Sequence, residues 1–139
     1  MSLVLDSSIA LAWCFEDERV PAAVTVLERV VDSGAIAPAS WPLEVLNALA
    51  MTQRRQRLGA AQRLELTDLL RELPIKLDTE TPTQAWGATA RLAELHQLTV
   101  YDAAYLELAQ RLRLPLGTLD RALASAALAS GVAVLGVDS

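Results

Sequence analysis

The chain has 139 residues, 53% of them apolar, with one cysteine, one histidine and 17 acidic against 12 basic side chains. That length and composition suit a single core and exclude a disordered chain, a disulfide scaffold and a Cys/His zinc fold, because Cys14 and His96 have no companions. The net charge of −5 repels polyanions, so contact with nucleic acid needs a local basic patch or bound cations.

No apolar run reaches the roughly 18 residues of a membrane span, and the first residues lack the basic lead and long apolar region of a secretory signal. The expectation is one domain over residues 1–139 of a soluble, cytoplasmic protein with no membrane partner. Ser2 to Leu5 is a short β-rich run that ends on Asp6, and Ser7 to Phe15 has the Ala, Leu and aromatic content to begin a helix at once. Val20, Ala23, Val24, Leu27, Val30 and Val31 recur at helical spacing, Pro21 suits the first turn, and Ser33 with Gly34 stops the segment. Ala35 to Ala37 is a weak second strand.

Ser40 is placed to cap a helix that turns Leu43, Val45, Leu46, Leu49 and Ala50 inward and holds Glu44 and Asn47 on one face. Its end carries the only basic run, Arg54, Arg55 and Arg57, before Gly59 breaks it. Such a run reads as a solvated helix end or as a contact for a nucleic-acid backbone or a protein partner. Ala60 to Leu73 is amphipathic through Leu66, Leu69, Leu70 and Leu73, and Pro74 closes it before a strand at Ile75 to Leu77. Thr81 and Pro82 predict the start of a helix reaching about Gln97, with Ala85, Ala88, Thr89, Leu92 and Ala93 inside.

A helix rich in Ala and Leu then runs from Asp102 to Leu112, and Pro115 admits only a short strand, Leu116 to Thr118. Arg121 to Ala129 is a small-residue helix, Gly131 a stop, and Val132 to Val137 a final strand. Helices alternating with five short strands predict a three-layer α/β sandwich around a mostly parallel sheet. In such a sheet ligands bind outside the carboxyl ends of the strands. Asp6 follows the first strand, Glu44 lies in the first turn after the second, Asp102 opens its helix and Asp120 follows the fourth strand, so all four point to that edge.

One Asp at such a position is often only a helix cap. Four together repel, at a cost on the order of a few kcal/mol per close pair for an effective dielectric constant near 20, and something positive must offset it. Shared protons could do so, but Mg²⁺ or Mn²⁺ does so at neutral pH with oxygen ligands and several retained waters. A bound metal acidifies water and clamps a phosphate for in-line attack, which suits phosphodiester hydrolysis without a nucleophilic side chain.

The opening LVLDSS, Glu44 within WPLEVLNAL, VYDAAYLELA around Asp102 and LGTLD ending on Asp120 together resemble the PIN-domain family, and within it the VapC-type toxins of toxin–antitoxin pairs. The likeness spans nearly the whole chain with the acidic motifs in family order. It implies a Mg²⁺- or Mn²⁺-dependent endoribonuclease in which Asp6, Glu44, Asp102 and Asp120 are the catalytic, metal-holding quartet. Asp6 and Asp102 would be the main ligands, with Glu44 and Asp120 completing the site; Ser7, Asn47 and Thr118 match supporting positions. It further implies an RNA substrate, a homodimer, and a small cognate antitoxin that wraps the toxin.

Two competitors come from other classes. An aspartyl-nucleophile phosphohydrolase would use Asp6, but the second Asp expected two residues on is Ser8. A PIN-fold binding module without activity conflicts with four intact acids. A dinucleotide site is disfavoured because no Gly-rich turn follows a strand. Asp78 and Glu80 read as turn and helix-start acids, Asp138 as a terminal one, His96 as a helix-end cap and Cys14 as packed beside Trp13 and Phe15. Tyr101 and Tyr105 could stack a base or pack their helix, and Trp13, Trp41 and Trp86 leave substrate contacts open.

Overall fold

A computed structural model of the chain describes residues 2–137; Asp138 lies outside the described residues. Strands β1 (Val4–Leu5), β2 (Ala35–Pro38), β3 (Ile75–Asp78), β4 (Leu116–Thr118) and β5 (Val134–Gly136) form one sheet in the order β3-β2-β1-β4-β5, and every pairing is parallel. Helices α1 (Ser7–Cys14), α2 (Pro21–Ser33), α3 (Trp41–Arg54), α4 (Ala60–Glu72), α5 (Thr81–Gln84), α6 (Ala90–His96), α7 (Val100–Leu112) and α8 (Arg121–Ala129) flank it as the outer layers of an α/β sandwich. No helix among the described residues is long and apolar enough to cross a membrane.

Strands β1, β2 and β4 are wholly buried, as parallel strands covered on both faces must be. Ile9, Leu49, Tyr105, Leu106, Leu108 and Leu123 pack into the core around them. The chain builds β1, β2 and β3 in one direction and then returns to add β4 and β5 on the other side of β1. The strand order therefore reverses between β1 and β4, and the region outside their carboxyl ends is where sheets of this kind bind ligands.

Local chemistry sets the element ends. Gly34 takes φ 76° and its N–H donates to the Val30 carbonyl at 2.7 Å, so α2 stops and β2 begins on the next residue. Thr99 accepts the Asp102 N–H at 3.1 Å and Asp120 accepts the Leu123 N–H at 3.0 Å, which caps α7 and α8. Asp102 thus lies in the first turn of α7, as its third residue, and does not begin it.

Several details differ from the sequence reading. On α3 the buried stripe is Trp41, Val45 and Leu49, while Leu43 is 73% and Leu46 42% exposed. The indole of Trp41 fills the inward volume at the start of the helix and turns those two leucines outward. On α2, Val26 joins Ala23 and Val30 inside, leaving Val20 and Val31 exposed, and Leu69 of α4 is exposed as well. The helix expected over Thr81 to Gln97 is interrupted by a π-helical turn, Ala85–Thr89. Thr81 does not cap it: its hydroxyl lies 3.2 Å from the Asp78 carbonyl and 3.1 Å from Asp78 Oδ2. Ser40 likewise makes no cap bond and donates to Glu44 instead. Strands β1 and β5 are shorter than Ser2 to Leu5 and Val132 to Val137.

Gly136 closes β5 with φ 109°, and a Cβ there would lie 2.5 Å from the Thr118 carbonyl oxygen and 3.0 Å from Ile9 Cδ1. The carbonyl cannot retreat without moving the end of β4, whereas the tip of the Ile9 side chain can shift at a packing cost. Gly136→Ala is expected to destabilise the fold by about 2–4 kcal/mol, through strain and overpacking together, as read by urea unfolding. A loss below about 0.5 kcal/mol would mean that the end of β5 swings free of Thr118.

Candidate active site

Four helix beginnings gather beyond the carboxyl ends of the sheet. Asp6 precedes α1, Glu44 lies in the first turn of α3, Asp102 in the first turn of α7, and Asp120 precedes α8. Each carboxylate sits where the partial positive charge of a helix N-terminus offsets part of its own.

Asp6 is 3% exposed and is tied down twice. Its N–H donates to the Gly117 carbonyl at 2.9 Å, and Ser8 Oγ and Thr118 Oγ1 each donate to Oδ2 at 2.7 Å. Its side chain makes no capping bond to α1, whereas Asp120 does cap α8. The ordinary explanation of such residues as caps therefore holds for one oxygen of Asp120 and fails for Asp6. Glu44 accepts from Tyr105 OH at 3.1 Å and Ser40 Oγ at 3.3 Å, both on Oε1. Ser7 Oγ lies between the two acids, 3.4 Å from Asp6 Oδ1 and 3.5 Å from Glu44 Oε2.

The acids feel one another. Burial raises Asp6, opposed by the Ser8 and Thr118 hydroxyls, and the charge of Asp120 raises it further. Burial also raises Glu44, with Tyr105 opposing and Asp6 and Asp102 adding repulsion. Asp102 is pushed up to about 6, by burial first and then by the charges of Asp6 and Asp120. Burial and the carboxylates of Asp6 and Glu44 raise the Tyr105 phenol far beyond its usual range, so it stays a donor.

No basic side chain among the described residues pairs with any of the four; the ion pairs there all belong to Arg111. Nor do three His, Cys, Asp or Glu side chains gather closely enough for a ready cage. An open set of oxygen donors with excess negative charge fits Mg²⁺ or Mn²⁺, which take one or two carboxylates and keep several waters. It does not fit zinc: His96 packs against Ser130 Oγ at 3.1 Å, and Cys14 is a half-buried free thiol in the core, pushed up by burial and drawn back by Arg19.

Of the supporting residues, Thr118 holds Asp6, Ser7 lies between two acids, and Asn47 is exposed with its amide 3.8 Å from Met51 Sδ. Sequence reasoning missed Ser8, which binds Asp6 and accepts the Leu119 N–H at 2.9 Å. Its signal was present in the Asp-Ser-Ser run, but the hydroxyl that matters is the second. Tyr101 is exposed beside the site, and Tyr105 is buried and holds Glu44. Trp13 is buried, donating to the Ala23 carbonyl at 2.7 Å, while Trp86 is 92% exposed. Asp78 and Glu80 do not join the acids but bind Arg111. Arg54, Arg55 and Arg57 are exposed at the far end of α3.

A parallel α/β sandwich whose strand-order reversal carries four carboxylates with no basic side chain paired to them is the class of domain defined here. The chain belongs to the PIN-domain family, which it matches over residues 3–134. It is 32% identical over 124 residues to Ribonuclease VapC3 of Pyrobaculum aerophilum, covering 89% of this chain and 93% of that one. In fold it is similar to PAE2754 from Pyrobaculum aerophilum, with TM-score 0.68 at 22% identity over 96% and 89% of the two chains. It is also similar to a chain of VapBC2 from Rickettsia felis bound to a promoter DNA fragment, with TM-score 0.69 at 12% identity over 99% and 100%.

Proposed function

We propose that this chain is a VapC-type toxin, an endoribonuclease that hydrolyses RNA phosphodiester bonds with Mg²⁺ or Mn²⁺ held by its acidic quartet. The observation that carries the reading is the set of carboxylates raised by burial and mutual repulsion with no cation of the protein's own beside them. Asp6 and Asp102 are the main ligands, and Glu44 and Asp120 complete the site. When bound, the metal supplies an acidified water and a clamp on the scissile phosphate. The residues do the rest: Ser8 and Thr118 fix the Asp6 carboxylate, Tyr105 fixes Glu44, and the four helix N-termini favour the approach of an anion.

A small antitoxin is the proposed partner. A groove of about 450 Å³ between α3, α4 and β3 is lined by Trp41, Val45, Leu46, Leu70 and Leu73, with Arg63 and Arg71 beside them. Its lining is apolar with two guanidinium groups at the edge, so an apolar segment carrying acidic side chains would suit it. Exposed Trp86, Leu95, Val100 and Tyr101 support self-association as a homodimer. The proposed setting is the cytoplasm.

The test is cleavage of structured RNA by the purified chain. Fragments are expected with Mg²⁺ or Mn²⁺, and none in excess EDTA until metal is restored. Cleavage that continues undiminished in EDTA would remove the metal from the reading.

A further inference from the structure

The hydrogen bonds around Asp6 and Glu44 are one-sided. Ser8 Oγ accepts the Leu119 N–H at 2.9 Å, which aims its own proton at Asp6 Oδ2, 2.7 Å away. Thr118 Oγ1 does the same, accepting the Asp120 N–H at 3.0 Å and donating to that same Oδ2 at 2.7 Å. Neither hydroxyl can turn away without orphaning a backbone N–H. Glu44 repeats the pattern, with Tyr105 OH and Ser40 Oγ both on Oε1. Tyr105 is fully buried, so its ring has nowhere else to take the hydroxyl. The remaining oxygens, Asp6 Oδ1 and Glu44 Oε2, share the Ser7 hydroxyl at 3.4 and 3.5 Å, and the Ser7 N–H also acts on the Asp6 carboxyl. One proton cannot serve both at that range.

We infer that these hydroxyls hold Asp6 and Glu44 to one-oxygen ligation, so that the cleft selects Mg²⁺ or Mn²⁺ over Ca²⁺, with Ser8, Thr118 and Tyr105 as the specificity-determining positions. This rests on reading the acidic cluster as a cation site. Ca²⁺ gathers six to eight oxygens at about 2.3–2.6 Å and commonly takes both oxygens of a carboxylate. Mg²⁺ asks for an octahedron at about 2.0–2.1 Å, takes single carboxylate oxygens and keeps its waters. An oxygen already accepting two hydrogen bonds joins a bidentate clasp only by losing them. The larger ion is excluded by denticity rather than by size.

The experiment is cation binding without RNA. Free Mn²⁺ is followed by electron paramagnetic resonance, and Mg²⁺ and Ca²⁺ are ranked by the concentration that displaces it. Wild-type protein should prefer Mg²⁺ to Ca²⁺. In Ser8→Ala and Tyr105→Phe, each removing one of the two donors on a carboxylate oxygen with little change of volume, that preference should fall by about tenfold, the scale of outer-shell effects on metal affinity. Thr118→Ser keeps its donor and should keep the preference. Thermal unfolding without metal identifies the variants that are folded, and the ratio is read on those. An unchanged ratio in folded Ser8→Ala and Tyr105→Phe, or a wild type indifferent between Mg²⁺ and Ca²⁺, overturns the inference and leaves the cation site standing. A wild type that binds none of the three overturns both.

Discussion

Arg111→Ala is expected to lower the unfolding free energy by about 3–5 kcal/mol, the scale for breaking a buried charge network from one side. Arg111 uses its whole fork. It meets Asp78 through Nη2 at 2.6 Å and Nη1 at 3.4 Å, Glu107 through Nε at 2.9 Å and Nη2 at 3.1 Å, and Glu80 through Nη1 at 3.1 Å. Asp78 and Glu107 are 7% and 6% exposed, so the truncation leaves two buried carboxylates side by side without a cation. Glu80 is exposed and contributes little. Lysine is expected to recover only part of the loss, because a point charge cannot serve two planar carboxylates at once.

The pH dependence follows from Asp78. Burial alone would raise it, but the hydrogen bonds and charge of Arg111, with the Glu80 N–H and Thr81 hydroxyl, hold it below the usual carboxylate range. A depressed group stabilises the fold above its unfolded value, near about 3.9, and that stability is lost as pH falls through the lower folded value. The gap between wild type and Arg111→Ala in urea should therefore be full near pH 7 and close below about pH 4. A gap under about 1 kcal/mol at neutral pH would reduce the cluster to a surface ion pair.

This network also shows where sequence reasoning ends. Asp78 and Arg111 are 33 positions apart, and no periodicity links them. Glu107 is buried within a leucine-rich helix, with Arg111 one turn away to neutralise it. Signals carried by a single residue survived well. Gly34 ended α2, Pro115 separated α7 from β4, and the alternation of elements led to a parallel sheet with Asp6, Glu44, Asp102 and Asp120 on one edge. Signals that depend on tertiary volume did not. A helical stripe locates the buried face only to within a residue or so, which is why Leu43 was expected inside where Trp41 lies. The roles of Ser8 and Tyr105 were equally hidden, since a hydroxyl reveals its acceptor only once the chain has brought the acid to it.

Asp102→Asn is expected to do two things at once: reduce RNA cleavage by at least about a hundredfold, and stabilise the metal-free protein. The first follows from removing a proposed ligand, since loss of even an outer-shell partner costs metal sites about 10–100-fold. The second follows from electrostatics. A carboxyl held at about 6 in the fold against an unfolded value near about 3.9 takes up protons more readily when folded, so stability rises as pH falls through that window and is lowest above it. Asparagine removes the buried charge and its repulsion with Asp6 and Asp120 at every pH. Against this stands the favourable effect of an anion in the first turn of α7, about 0.3–1 kcal/mol. The shift is worth more than that even after a discount for solvent screening at a half-buried site, which leaves a net gain of about 1 kcal/mol near neutral pH. Thr99 still caps the helix, so the gain is not spent on fraying. Added Mg²⁺ should then stabilise wild type and leave Asp102→Asn almost unmoved, bringing the two together. A structural acid behaves in the opposite way, because its removal lowers stability whether or not metal is present. If metal-free Asp102→Asn melts below wild type near pH 7, the repulsion in the cleft is already relieved within the protein, and the case for a cation there fails with it.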